Sequence, residues 1–395
     1  MAHQVSSMAY VGETPWHGLG SSLPSGQPIE VWADKAGMNW QIKQAPVCFV
    51  ASDKQQGKEN HDNDDPVNTD NTGIIDLSRS LVDFADQKVL YRSDNQLPLS
   101  VVSSRYKVVQ PLEVLEFYRD LTEQFGFELE TAGVLKQGRK FWALARTGQS
   151  CVLGRQDEVN GYVLLATSCD GSLATVVTPT TVRVVCQNTL SIAVNRTVNT
   201  IKVPHNTHFN ANEVKSRLNL TTGHWDEFRL MMAELTKRKV SAKEAEQFMV
   251  EVLSPTSSLE DALVAADDTT SSEIISLGAD EPEDYSGISL LERIVRNTGK
   301  LPVAIEQASV DSIDWSKLPN GRAIKQVQQL YEGEGRGSEF ASAKGTAWGL
   351  LNAVTEFVDH KRRAKNQENR LDSAWFGQGA QLKQQALSSA LKLIA

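Results

Sequence analysis

An α+β fold is the class this chain predicts: central antiparallel β-hairpins packed with helices, followed by a mainly helical C-terminal half. Three observations carry that expectation. The apolar, β-branched runs 161–167 and 173–177 flank Asp170-Gly171, a dipeptide suited to a tight hairpin turn. The runs 127–135 and 140–146 flank Gln137-Gly138 in the same way. Beyond residue 210 the apolar residues recur at helical rather than strand spacing.

Each element follows in order. A Gly/Pro-punctuated segment, Glu13-Thr-Pro-Trp-His-Gly-Leu-Gly20, precedes a helix expected over 28–36, and the alternating run 38–50 predicts one or two strands. From 51 to 73 the chain is nearly devoid of apolar residues, so burial cannot offset the entropy of ordering it, and a flexible surface loop is expected. Strands are expected at 89–92 and 99–102, joined by a turn through 93–95. Pro111 suits a first helical turn, Val114, Leu115, Tyr118, Leu121 and Phe125 recur at helical spacing, and Gly126 ends that helix. After the two hairpins, an amphipathic helix is expected over 180–194, turning at Pro179. Its apolar face would be Val182, Val185, Cys186, Leu190 and Ala193. A short extended piece at 200–204 leads to a helical region over 210–253, and the acidic, polar stretch 254–287 reads as a mobile linker. Helices over 346–360 and 381–394 complete the chain.

The corresponding domain reading has five parts. They are an N-terminal segment (1–87), a central α+β core (88–209), a helical extension (210–253), the acidic linker (254–287) and a helical C-terminal region (288–395).

Composition sets broad limits. With 395 residues, 40% hydrophobic and 23% charged, the chain has the balance of a soluble globular protein large enough for a substantial core. A net charge of −9 argues against coating duplex DNA over the whole surface, though not against a local basic groove. The cysteines Cys48, Cys151, Cys169 and Cys186 show no C-x-x-C pairing and lie in or beside apolar runs, which predicts reduced, packed thiols. The first residues lack a basic and an apolar signal region, and no apolar run approaches the ~20 residues of a membrane span. A cytoplasmic protein without a membrane partner is expected.

Several stretches together resemble the phage/plasmid-like protein family, which is built on a domain of unknown function. They are Glu13-Thr-Pro-Trp-His-Gly-Leu-Gly20, Ser104-Arg-Tyr-Lys-Val-Val-Gln-Pro111, Glu130-Thr-Ala-Gly133, Val182-Arg-Val-Val-Cys-Gln-Asn-Thr-Leu190 and Gly345-Thr-Ala-Trp-Gly-Leu-Leu-Asn-Ala-Val-Thr-Glu-Phe-Val-Asp-His360. The resemblance implies a mobile-element setting, with DNA replication, recombination or evasion of host defence as the business. In layout alone, Arg105-Tyr-Lys-Val-Val109, a helix, two hairpins and a long helix are similar to the core of single-strand annealing proteins, which assemble into rings and hold single-stranded DNA.

The candidate binding residues come from a basic block. Between 88 and 208 the chain carries thirteen Lys or Arg against ten Asp or Glu. Lys136, Arg139, Lys140, Phe141, Trp142 and Arg146 cluster around one hairpin, the mixture of cations and rings that holds a single strand by phosphate contact and base stacking. At most one of Phe141 and Trp142 is expected to face outward from a half-buried strand. The plainer reading is a solvated hairpin with its rings in the core. Arg183 in the first turn of the expected helix opposes the helix dipole, as a residue gripping a phosphate or a buried carboxylate would, and the plainer reading is a surface arginine paired with a neighbour. Gln187 and Asn188 could contact bases or simply cap neighbouring strands. Arg139, Lys140 and Arg183 are the expected phosphate contacts, with Tyr106 and Trp142 the stacking candidates and Lys107 and Arg146 completing the set.

Other features read as structure. Trp16-His17 between Pro and Gly pins a turn, without a nucleophile or orienting acid near it in sequence. His205-x-x-His208 has metal-like spacing but too few ligands, and could instead join the basic groove, while Gly333-Glu-Gly-Arg-Gly337 lacks the Lys-Ser or Lys-Thr of a phosphate loop. The basic run Lys361–Arg363 with Lys365 reads as a solvated helix end or a nucleic-acid contact. No catalytic residue, metal or cofactor is expected. The expectation is a non-catalytic protein that binds single-stranded DNA, self-assembles as a homo-oligomer, ring-shaped in the annealing-protein layout, and assists annealing or recombination. The alternative is an interaction protein with a host partner whose defence it blocks. A third reading is a hydrolase or nucleotide-processing enzyme around His17 and His205.

Overall fold

A computed structural model describes residues 7–12, 20–50, 81–185, 188–191, 200–222, 225–254 and 320–394, without the side chains of 124, 188–191 and 217–222. The expected flexible loop, the linker, His17, Cys186 and Gln187 lie outside the described residues. The chain groups into two compact units: Met1–Ala145, Leu164–Val177 and Ile201–Arg217 in the first, and Arg146–Val163, Thr178–Thr200 and Leu218–Ala395 in the second.

The α+β class holds. The strands are β1 (Ser7–Val11), β2 (Ser21–Leu23), β3 (Ile42–Val50), β4 (Leu81–Arg92), β5 (Pro98–Ser103), β6 (Glu128–Leu135), β7 (Lys140–Leu153), β8 (Asp157–Ser168), β9 (Thr175–Arg183), β10 (Asn188–Ser191) and β11 (Ile201–Val203). One sheet runs β10-β9-β8-β7-β6-β1-β2, with β11 also paired to β9, and a smaller sheet runs β3-β4-β5. β1 pairs with β2 in parallel, whereas β1–β6, β9–β10, β9–β11, β3–β4 and β4–β5 pair antiparallel.

In the first unit, helices α1 (Ile29–Lys35) and α2 (Pro111–Phe125) flank this β-structure. Sequence explains α2 end to end. Gln110 and Glu113 form a reciprocal capping box, Pro111 occupies the first turn, and Gly126 closes the helix at φ 69, a left-handed conformation that glycine adopts without Cβ strain. Val114, Leu115, Tyr118 and Leu121 are fully buried, and the Tyr118 hydroxyl donates to the Ala143 carbonyl at 2.8 Å. Phe125, last on the predicted stripe, is exposed. Beyond Pro46, the β3–β4 pair continues as a ribbon through the cross-strand pairs Cys48↔Asp83, Phe49↔Val82 and Val50↔Leu81. Phe49 and Val82 are cross-strand partners, Phe84 follows in the irregular stretch between Asp83 and Lys88, and these side chains are 51, 42 and 43% exposed.

Among the described residues of 180–194, strands stand in place of the expected helix. Thr180–Arg183 belong to β9 and Asn188–Ser191 form β10, paired as Asn188↔Arg183 and Leu190↔Thr181. The reason is composition. Thr175-Val-Val-Thr and Thr180-Thr-Val are β-branched, stiff at χ1, and suit a pleated surface better than a helix. Pro179 falls between the β11 ladder, which ends at Val177, and the β10 ladder, which begins at Thr180, where a missing N–H breaks neither.

The second unit is mainly helical: α4 (Trp225–Lys237), α5 (Ala242–Leu253), α6 (Gly321–Gln329), α7 (Ala347–Glu356), α8 (Gln367–Phe376) and α9 (Gln378–Lys392), while the residues of α3 (Ala211–Thr222) are divided between the units at Arg217. Ser241 and Glu244 make a capping box for α5, and Thr346 Oγ1 accepts from Gly349 N to start α7 where the sequence placed its helix. The core joins Trp225, Phe228, Met232, Phe248, Trp348 and Leu351. Trp348, Leu351, Val354, Thr355 and Val358 are buried as predicted, yet Asn352 and Glu356 are buried too, so α7 is enclosed all round. One-turn π-helical segments follow α6 at Leu330–Glu334 and α7 at Phe357–Lys361.

Candidate nucleic-acid interface

The expected binding residues divide between the units. Tyr106, Lys107, Arg139, Lys140 and Trp142 fall in the first, whereas Arg146, Arg183 and Asn188 fall in the second.

In the first unit, the chain leaving β5 turns at Ser104–Arg105, and an open pocket of about 630 Å³ lies beside it, lined by Ser103, Arg105, Tyr106, Lys107, His205 and Asn206. Backbone bonds bring together segments far apart in sequence. Lys107 N donates to His205 O at 2.5 Å, and the Tyr106 and His205 rings stack with centroids 4.4 Å apart and planes at 19°. The Tyr106 hydroxyl donates to the Ser168 carbonyl at 2.9 Å, and burial pushes that phenol well above its usual range. The His205 ring nitrogens lie 3.2 Å from Lys107 O and 2.9 Å from Leu173 O. The Tyr106 hydroxyl and both His205 nitrogens thus face carbonyls of the protein, and each ring covers one face of the other, which leaves the outer faces for a planar ligand.

Cations surround this stack. Arg105 is exposed and Lys107 half-buried. On β4, the Lys88 ammonium donates to Ser104 O at 3.1 Å and Tyr106 O at 2.8 Å, and burial and the nearby charge of Lys107 together depress its pKa. The β8–β9 turn extends the neighbourhood, since Cys169 N donates to Arg139 O at 2.8 Å. Arg139 is exposed, whereas Lys140 is buried near Asp170. Burial alone would raise the Asp170 carboxyl. Hydrogen bonds from Ser172 and Ser168 and the Lys140 charge outweigh it, leaving Asp170 below its usual range. Burial raises the Cys169 thiol to about 12, so it is not a nucleophile at neutral pH.

Burial withdraws three expected contacts, Lys140, Trp142 and Arg183. Trp142 is 1% exposed and Phe141 0%, so neither offers a face to a base. The half-buried strand assumed in the sequence is enclosed on both faces from Lys140 to Ala145. Arg183 is not a surface residue on a helix. It ends β9 at 3% exposure, where its Nε and Nη2 donate to Asp157 Oδ1 and Oδ2 at 2.6 and 2.9 Å. The same guanidinium donates to the carbonyls of Arg336 and Gly337, in the Gly-rich loop. Asp157 also accepts from Ser342 Oγ at 2.7 Å and Trp348 Nε1 at 3.0 Å. This is a buried structural network in the second unit, the carboxylate alternative to a phosphate.

Of the other candidates, Arg146 is half-buried, its guanidinium 5.9 Å from the Tyr162 ring centroid, and Asn188 is described only as a backbone position paired with Arg183. Among the described residues, no group of His, Cys, Asp and Glu is arranged to hold a metal. Among the described residues, too, no helix is long and apolar enough to cross a membrane. Cys48, Cys151 and Cys169 are free thiols, Cys48 exposed and donating to Asp83. Reasoning from sequence missed Arg105, Ser103, Asn206 and Lys88 as site residues. The Arg105-Tyr106-Lys107 triplet, a ring between cations, was the available signal.

The sequence matches the family described as "Domain of unknown function (DUF932)" over residues 98–273 and 302–375. No curated protein and no solved structure matches the chain.

Proposed function

We propose that this chain, which belongs to the DUF932 family, binds single-stranded nucleic acid without chemical turnover, as a cytoplasmic accessory to DNA annealing or recombination in a mobile element. The observation that carries the reading is the Tyr106–His205 stack set beside Arg105 and Lys107 at an open pocket. A single strand needs cations that follow its phosphates and ring faces for its unpaired bases, and both are present within a few residues. Because the Tyr106 hydroxyl and both His205 nitrogens are turned towards carbonyls of the protein itself, these rings offer outer faces rather than an edge code, which favours binding tolerant of sequence. Self-assembly rests on a separate observation, the apolar side chains of Phe49, Val82 and Phe84 exposed on the β3–β4 ribbon.

The test is fluorescence anisotropy with a short labelled single-stranded oligonucleotide at low salt. Tyr106→Leu should weaken binding by about 5- to 150-fold, the loss of one stacked base at roughly 1–3 kcal/mol. Lys107→Glu should weaken it further and flatten the salt dependence. Binding by both variants equal to the parent rejects this pocket as the site.

A further inference from the structure

Resting on that reading, we infer that Lys88, outside the pocket lining, is the positioning residue that holds the candidate site in its binding form. Lys88 is fixed on the middle strand of the small sheet, paired with Pro46 on one side and Val102 on the other. From there its ammonium reaches past the end of β5 and donates to the carbonyls of Ser104 and Tyr106, on either side of Arg105. Asp86, two residues earlier on β4, accepts from Ser104 N at 2.8 Å. One stretch of β4 thus ties down the turn that presents Arg105, Tyr106 and Lys107.

A neutral side chain of the same length would leave the Ser104 and Tyr106 carbonyls without their charged donor and the turn without its tether. Lys88 and Lys107 also repel each other across this turn, and an anionic ligand in the pocket offsets that repulsion. The tether and the ligand therefore favour the same arrangement of residues 104–107. The Ser104, Tyr106 and Lys107 amides, bonded to Asp86 O, Ser103 O and His205 O, report whether the turn is closed.

The test compares Lys88→Met, Lys88→Arg and Lys107→Met on the full chain, with a labelled 20-nucleotide single strand and amide hydrogen exchange. Lys88→Met should bind about tenfold more weakly, with an unchanged slope of log K against log salt and faster exchange at Ser104, Tyr106 and Lys107. Lys88→Arg, which keeps a cation with several donors, should recover most of the affinity. Lys107→Met should instead reduce the slope by about 0.7, the signature of a lost phosphate contact. A slope change in Lys88→Met equal to that of Lys107→Met, or an unchanged affinity, overturns the assignment. Should the parent bind no oligonucleotide, the nucleic-acid reading fails by itself. Exchange then decides for Lys88: acceleration at those amides upholds the tether, and no change overturns it.

Discussion

Replacing Asp157 with alanine should be among the most destabilising single changes available in the second unit. The Asp157 side chain is fully buried and accepts from Arg183 Nε and Nη2, Ser342 Oγ and Trp348 Nε1. Removing it takes away the carboxylate that is hydrogen-bonded to a 3%-exposed guanidinium, which keeps its bonds to the carbonyls of Arg336 and Gly337 and the influence of the Glu356 charge. Breaking a buried ion pair from one side costs about 3–5 kcal/mol, and the orphaned hydroxyl and indole N–H add to that. For a unit of this size, each kcal/mol lowers Tm by about 2–4 °C, so the expected fall is on the order of 10 °C. Thermal unfolding followed by circular dichroism measures it. The matching double variant, Asp157→Leu with Arg183→Met, removes both charges and should recover a large part of the loss, since apolar replacement of a whole buried pair is often nearly neutral. Single variants that each cost under about 1 kcal/mol, or a double variant whose loss is the sum of the singles, would refute the reasoning.

Three further outcomes are expected. Glu244 caps α5 through the Ser241 backbone N–H and hydroxyl and pairs with Arg238, and these bonds, led by that from the Ser241 backbone, hold its carboxyl down at about 2. A depressed acid stabilises above its unfolded pKa and loses that contribution as pH falls through the folded value. The Tm gap between parent and Glu244→Gln should therefore narrow from pH 4.5 towards pH 2. Trp142→Ala should cost about 3–5 kcal/mol by emptying a buried site, measured by urea unfolding. Serine at both Val82 and Phe84 should shift light-scattering mass towards the monomer while leaving Tm of the fold nearly unchanged, because those side chains are exposed on the ribbon.

What the sequence revealed is unequal, and the reason lies in the range of the interactions. The α2 helix was legible from Pro111 to Gly126 because its capping box, apolar spacing and terminal glycine are all local. The two hairpins were legible from their turns for the same reason. The segment after Pro179 misled because Val182, Val185, Cys186 and Leu190 fit a helical stripe, while the density of β-branched residues upstream favoured a strand. Arg183 was marked as unusual, but its partners are Asp157, Ser342 and the Gly-rich loop, none of them its neighbours along the chain. Trp142 could not be placed by alternation because β7 begins with a stretch buried on both faces. Of the residues that line the pocket, Tyr106 and Lys107 were already candidates in the sequence, a cation beside a ring. His205 joins them across 98 residues, a pairing that local chemistry does not announce.

The most direct measurement is photochemical crosslinking of a single strand carrying bromodeoxyuridine, with the attached peptides identified by mass spectrometry. Adducts on Tyr106 or His205, suppressed by excess unlabelled single strand and by rising salt, are the expected result. Adducts confined to the basic segment around Lys361–Arg363, with none at Tyr106 or His205, would contradict the account.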